Sequence, residues 1–271
     1  MKVAFIGGGN MASAIIGGLA GRGFQRSELL VVEPDANART RLLSAYGVKA
    51  IEGPGHALSE ADVVVMAVKP QQMRDAARAI EPFLQKPLVV TIAAGIRLAD
   101  LSRWLSGRDR LVRAMPNTPA LVHAGITGLF ALPSVTDEDR KAAQQLLSAV
   151  GATLWFEHEG DLDAVTAVSG SGPAYVFYAI EALEQAAAEL GLEPGASRSL
   201  ALWTFVGAAK LAIERSGESP AELRAQVTSK GGTTQAALAV LEGAQVKERF
   251  VEAVKAACER SREMGADYGK D

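Results

Sequence analysis

Apolar residues come in short β-branched runs separated by helical patterns up to about residue 158, and in helical patterns alone after that. The runs predict strands at Lys2 to Gly7, Leu29 to Glu33, Val48 to Ile51, Val63 to Val68, Leu88 to Ile92, Leu111 to Ala114, Gly125 to Phe130 and Thr153 to Phe156. Between them lie helices such as Ala38 to Tyr46, stopped by Gly47, and Asp137 to Val150, capped by Thr136 and stopped by Gly151. Such alternation predicts an α/β domain with a doubly wound, mainly parallel sheet over residues 1–158. From 159 to 271 an all-helical domain is expected, its helices parted by Gly170-Ser171-Gly172-Pro173, Gly191 to Pro194, Gly217 to Pro220, Gly231-Gly232 and Gly243.

One helix of the second domain constrains its surroundings. Ala174 to Ile180 reads Ala-Tyr-Val-Phe-Tyr-Ala-Ile and has no polar face, so it must be buried on every side. About 110 residues of helix cannot easily enclose it alone. The expectation is an obligate symmetric homodimer whose helices interlock across a large apolar interface; the alternative is burial under the first domain of the same chain.

Composition narrows the class. The chain has 271 residues, 48% of them hydrophobic and 22% charged, which is ordinary for a soluble globular protein. A net charge of −3 gives no electrostatic reason to expect nucleic acid or an anionic membrane as partner. No apolar run approaches the roughly 20 residues that span a bilayer, and the first apolar run passes straight into glycines, so a cytosolic protein is expected. The single cysteine, Cys258, sits in the helical stretch Val246 to Met264 and reads as a packed thiol. His56, His123 and His158 are scattered and lack metal-ligand spacing, so no metal is expected.

The first strand runs into Phe5-Ile6-Gly7-Gly8-Gly9-Asn10-Met11-Ala12, a Gly-x-Gly-x-x-Ala turn followed by helical spacing at Met11, Ile15 and Leu19. In a Rossmann dinucleotide fingerprint Gly7 permits the turn, Gly9 lets a pyrophosphate touch the backbone, and Ala12 lets helix and strand pack closely. The second strand ends in Glu33, where that fold expects an acid for the ribose. Ligands of such sheets gather at the carboxyl ends of strands. There stand Ala67-Val68-Lys69-Pro70, whose Lys69 either serves the ligand or is a solvated charge, and Ala93-Ala94, small enough to admit a flat ring. Met115-Pro116-Asn117-Thr118-Pro119 is either a wall of the nicotinamide pocket or a plain turn. NAD or NADP is the expected cofactor, held by Ile6, Gly7, Gly8, Gly9, Asn10, Met11, Glu33, Ala67, Val68, Lys69, Pro70, Ala93, Ala94 and Asn117.

A second anion site is suggested by Val227-Thr228-Ser229-Lys230-Gly231-Gly232-Thr233-Thr234, which leads into a helix. Glycines allow close approach of the backbone, and the first N–H groups of the helix favour a carboxylate or phosphate. The plainer alternative is a helix capped by Thr233.

Over nearly its whole length the chain resembles the pyrroline-5-carboxylate reductases. The resemblance rests on the Phe5 to Ala12 and Ala67 to Pro70 segments, Met115 to Pro119, Ser169-Gly170-Ser171-Gly172-Pro173-Ala174-Tyr175, and Val227 to Thr234. It implies a Rossmann domain with a helical dimerisation domain, homodimers that assemble further into a ring, and reduction of 1-pyrroline-5-carboxylate to L-proline by NADPH or NADH. It also implies that the substrate carboxylate sits on Ser229, Gly231, Gly232, Thr233 and Thr234, with the catalytic Thr234 hydroxyl near the ring nitrogen.

Three positions depart from that pattern. Lys230 replaces a common proline, Pro54 replaces an asparagine near the adenosine ribose, and Glu33 replaces a hydroxyl residue. An acid at 33 hydrogen-bonds a ribose 2′-hydroxyl and repels a 2′-phosphate, which favours NADH unless Arg39 or Arg41 offsets it. Two other functions compete. A β-hydroxyacid dehydrogenase shares the layout but needs a lysine and an asparagine on the helix after Pro173, which has neither; a dinucleotide-sensing protein would lack turnover altogether.

Overall fold

In the computed structural model, which describes residues 1–270, every predicted strand forms, with ends within one or two residues of the expected limits. They are β1 (Val3–Ile6), β2 (Leu29–Val32), β3 (Lys49–Ile51), β4 (Val63–Met66), β5 (Leu88–Thr91), β6 (Leu111–Met115), β7 (Gly125–Ala131) and β8 (Gly151–Trp155). The helices are α1 (Asn10–Gly21), α2 (Ala36–Tyr46), α3 (Met73–Ile80), α4 (Leu98–Trp104), α5 (Asp137–Ser148), α6 (Asp161–Val165), α7 (Gly172–Glu189), α8 (Pro194–Glu214), α9 (Pro220–Gln226), α10 (Thr233–Gly243) and α11 (Val246–Tyr268).

The strands make one sheet in the order β3-β2-β1-β4-β5-β6-β7-β8. The first six in sequence are parallel, β7 runs antiparallel to β6, and β8 runs parallel to β7. Alternate residues along each strand face opposite ways. Val3, Phe5, Val63 and Val65 therefore pack under α1 and α5, while Ala4, Ile6, Val64 and Met66 pack under α3 and α4. The α/β, doubly wound sheet is thus buried on both faces, and its strand order reverses between β1 and β4. That reversal opens a crevice at their carboxyl ends.

Helix ends follow local chemistry. Asp35 accepts from Asn37 and Ala38 N–H to start α2, and Gly47 ends it in the left-handed region with φ 66°. Thr136 and Asp139 form a reciprocal capping box on α5, as Ser219 and Glu222 do on α9.

Packing divides the chain at other points than secondary-structure class does. One compact unit comprises Met1–Ser171 together with the described residues from Ala257 on; the other is Gly172–Ala256. The expected boundary at 158/159 therefore marks where strands stop, whereas α6 and the end of α11 pack with the sheet. The physical cause is Arg113, a charge set in the apolar strand β6 and 1% exposed. Its guanidinium lies 3.3 Å from Glu159 and 3.7 Å from Asp163. Asp163 on α6, itself 2% exposed, also accepts from Arg97 at 2.6 Å and from Ser261 of α11 at 2.9 Å. Burial pushes the Arg113 guanidinium below its ordinary pKa, and Glu159 pulls it back up. A charge so placed requires its counter-charges, and these come from Glu159 and from Asp163 on α6, while Ser261 of α11 bonds Asp163 in turn.

In the second unit α7 and α8 pack on each other, and Tyr175 meets Phe250 edge-on with ring centroids 5.6 Å apart. α7 buries none of its residues within the chain: Phe177 is 65% and Tyr178 76% exposed, and Trp203 on α8 is 71% exposed. Among the described residues, no helix is long and apolar enough to cross a membrane.

Removing Asp163 leaves two guanidinium groups without their buried counter-charge. Asp163→Ala is expected to cost about 3–5 kcal/mol of stability, measured by denaturant unfolding of the first-unit signal.

Candidate dinucleotide cleft and anion-binding loop

The crevice at the β1/β4 switch encloses about 540 Å³, and Ile6, Gly7, Gly8, Gly9, Glu33, Ala67, Val68 and Lys69 line it. A volume of this order is that of an ordinary small-ligand site. Its floor is glycine for two reasons. Gly7 has φ 98°, and a Cβ there would stand 2.8 Å from the Ala67 carbonyl oxygen; a Cβ on Gly8 would strike Leu42 at 2.6 Å. Gly9 faces open space and is the N-cap of α1, with no side chain bonded to the helix start. Among the described residues, no acceptor meets the N–H groups of Asn10, Met11 and Ala12. An anion such as a pyrophosphate fits this arrangement.

Glu33 is set deeper than the sequence suggests. One carboxylate oxygen accepts from Gly8 N–H at 2.8 Å, the other from Asp35 N–H at 2.9 Å. The acid is thus fixed against the glycine turn. Arg39, one of two cations available to offset it, donates to the Glu33 and Pro34 carbonyl oxygens at 2.9 and 2.7 Å and lies 3.9 Å from Glu52. Arg41 is exposed. Glu52, Pro54 and Asp75 also line the cleft, so two further acids stand near the adenosine end.

Lys69 lines the cleft, is exposed, and has no ion-pair partner among the described residues. Pro70 opens a 3-10 turn, Pro70–Gln72, that leads into α3, and Gln72 joins the lining. Gln71 donates to the Tyr268 hydroxyl at 2.9 Å, and Tyr268 lies against Gly95 beyond β5. Ala93 and Ala94 stand at that strand end, Ala93 N–H donating to Thr91 at 3.3 Å. Asn117 is 8% exposed, with both ends of its side chain engaged: Oδ1 accepts from Ile126 N–H at 3.0 Å and Nδ2 donates to the Ser169 carbonyl at 3.1 Å. Its side chain thus ties the start of β7 to Ser169.

In the second unit Gly232 is the N-cap of α10, and again no side chain caps the helix. Thr233 begins the helix instead of capping it. Gly231 has φ 75°, which favours glycine, and a Cβ on Gly232 would stand 2.5 Å from the Ser229 hydroxyl. Gly231 N–H donates to Gln235 at 2.6 Å and Gly232 N–H to Ser229 O at 3.1 Å, which pins the loop. Among the described residues, the N–H groups of Thr233, Thr234 and Gln235 meet no acceptor. Lys230 is exposed and unpaired among the same residues. The pinning by Gln235 escapes sequence inspection, because a glutamine on a helix's first turn carries no signal of a side chain folded back.

A doubly wound sheet with a glycine turn, an acid after β2 and a bare helix start defines a dinucleotide-dependent oxidoreductase. Residues 2–95 match the family described as NADP oxidoreductase coenzyme F420-dependent, and residues 159–264 match pyrroline-5-carboxylate reductase dimerisation. A pyrroline-5-carboxylate reductase of Pseudomonas aeruginosa is 42% identical over 270 residues, covering 99% of this chain and 98% of the relative. That of Glycine max is 39% identical, covering 97% and 95%. The solved structure of a pyrroline-5-carboxylate reductase from Coxiella burnetii superposes with a TM-score of 0.91 at 38% identity, covering 97% of this chain and 98% of the other. A Plasmodium falciparum pyrroline carboxylate reductase with NADP bound gives 0.86 at 30% identity, covering 98% of each. The chain belongs to the pyrroline-5-carboxylate reductase family.

Glu33 generates a specificity test. With Glu33→Ser, kcat/KM for NADPH should rise about tenfold or more while that for NADH falls, read from steady-state kinetics with each dinucleotide. An unchanged ratio would remove Glu33 from cofactor choice.

Proposed function

We propose that this chain reduces 1-pyrroline-5-carboxylate to L-proline, the last step of proline biosynthesis, with NADH or NADPH, and that it works as a homodimer in the cytosol. One observation carries this reading: in a member of this reductase family, Thr233, Thr234 and Gln235 offer peptide N–H groups with no acceptor at a glycine-capped helix start. A carboxylate satisfies such a start, and an imino acid brings one.

The division of labour follows the change of structural class at residue 158. The region before it holds the dinucleotide through the Gly7–Gly9 turn, the free N–H groups of Asn10 and Met11, Glu33, and the Ala67–Pro70 edge, with Ala93 and Ala94 leaving room for the ring. The region after it holds the substrate and makes the dimer. The exposed Phe177, Tyr178 and Trp203 are the apolar surface that a second copy covers, in keeping with the match of 159–264 to a dimerisation family. Dimers of this kind are proposed to assemble into a ring.

The chemistry asks little of side-chain acids. A cyclic imine, once protonated, is a cation that accepts hydride and leaves a neutral amine, so no strong proton donor has to be built. The reduced nicotinamide supplies the hydride. What the chain contributes is orientation: backbone N–H groups and the Ser229 hydroxyl hold the carboxylate, and Thr234 hydrogen-bonds the ring nitrogen. A β-hydroxyacid dehydrogenase would need a lysine and an asparagine on α7, and α7 contains neither. A non-catalytic sensor would show no loss of nicotinamide absorbance.

The decisive assay follows that absorbance with the imine present. Turnover is expected; binding of the dinucleotide without turnover would favour the sensor. Thr234→Ala should lower kcat about tenfold or more, whereas Ser229→Ala should chiefly raise KM for the imine. Wild-type kinetics in both variants would exclude this loop.

A further inference from the structure

Two motifs of the sequence remain without a task, Met115 to Pro119 after β6 and Ser169 to Pro173 before α7. They touch. The chain from Thr166 to Gly170 forms a π-helical turn, closed by Ser171 N–H donating to Thr166 O at 2.8 Å across five residues. Such turns leave carbonyl groups out of the regular ladder, and they persist only where something outside the helix holds them. Here Asn117 does so. Its Nδ2 donates to the Ser169 carbonyl, while its Oδ1 is anchored by Ile126 N–H at the start of β7. On the other side the Met115 methyl abuts Gly170, where a Cβ would come within 2.6 Å. The held turn is also where the chain leaves the first compact unit, because the second begins at Gly172.

We propose that Asn117 is a positioning residue: it fixes the π-turn at which the chain passes from its dinucleotide-holding part to its substrate-holding part. The inference rests on the reduction proposed above. Hydride transfer tolerates little misplacement, and a shift of about 1 Å at a point far from the reacting atoms can cost as much as a hundredfold in rate. A carboxamide donates to a carbonyl and accepts from an amide at once. At a pH where its carboxyl is ionised, Asn117→Asp keeps the acceptor for Ile126 and sets a carboxylate oxygen against the Ser169 carbonyl, so it breaks the contact with the turn.

The test measures three things on the full-length Asn117→Asp protein. Amide hydrogen exchange should rise in residues 166–172 and stay unchanged in residues 6–12. The dissociation constant of the reduced dinucleotide, read by its fluorescence, should stay within about twofold of wild type, while kcat for the imine falls about tenfold or more. Asn117→Ala, which removes the same donor to Ser169, should reproduce the loss in kcat at unchanged dinucleotide affinity and serves if Asn117→Asp does not fold. Unaltered exchange at 166–172, or a loss of dinucleotide affinity that matches the loss in kcat, overturns the proposal. If the wild-type protein shows no imine reduction, the proposed function fails alone, since the exchange measurement does not depend on turnover.

Discussion

The peptide N–H groups at the starts of α1 and α10 have no acceptor among the described residues, and the residues around both are arranged to keep it so. Elsewhere Asp35, Thr136 and Ser219 cap their helices with side chains, each a contribution of about 1 kcal/mol. Gly9 and Gly232 occupy the same position and contribute no such bond. Glycine here gives up local stability and leaves two positively polarised ends open to negatively charged ligands. A dinucleotide offers a pyrophosphate and an imino acid a carboxylate. Both ligand groups of the proposed reaction are thus matched to the same physical device, used twice on different elements.

Around these ends the chain restricts what can enter. Glu33 is bonded to the Gly8 amide, so the acid after β2 and the amide that shapes the turn are parts of one hydrogen-bonded unit. The nearest guanidinium, on Arg39, is held by the carbonyl groups of residues 33 and 34. A 2′-phosphate would meet a fixed negative group and a cation already in use. The match of residues 2–95 to an NADP oxidoreductase family describes the scaffold on which these groups stand.

Much of this was legible before any coordinates. Parallel strands buried on both faces are unbroken β-branched runs, and Val63 to Val68 or Leu88 to Ile92 can scarcely be read as anything else. Caps such as Thr136 and stops such as Gly47 act through neighbours in sequence, so they too can be read locally. What escaped depends on partners distant along the chain. Arg113 in the middle of an apolar strand was a visible anomaly, but its counter-charges come from Glu159 and Asp163, and Asp163 is in turn bonded by Ser261, 98 residues later. Asn117 was singled out for its position at a strand end, yet its side chain serves Ile126 and Ser169. The boundary at 158 follows a change in periodicity, which says nothing of where an ion pair closes.

The return of α11 to the sheet has a consequence for how the protein is made. Ribosomes deliver the strands and the buried Arg113 first, then Asp163, and only at the end Ser261 and Tyr268. At a synthesis rate of about 5–20 residues per second, several seconds separate Asp163 from Ser261, its partner on α11. During that interval the nascent N-terminal region lacks the helix that finishes it, and the apolar surfaces of α7 and α8 emerge before it does. The part that is synthesised first is therefore the part that is completed last.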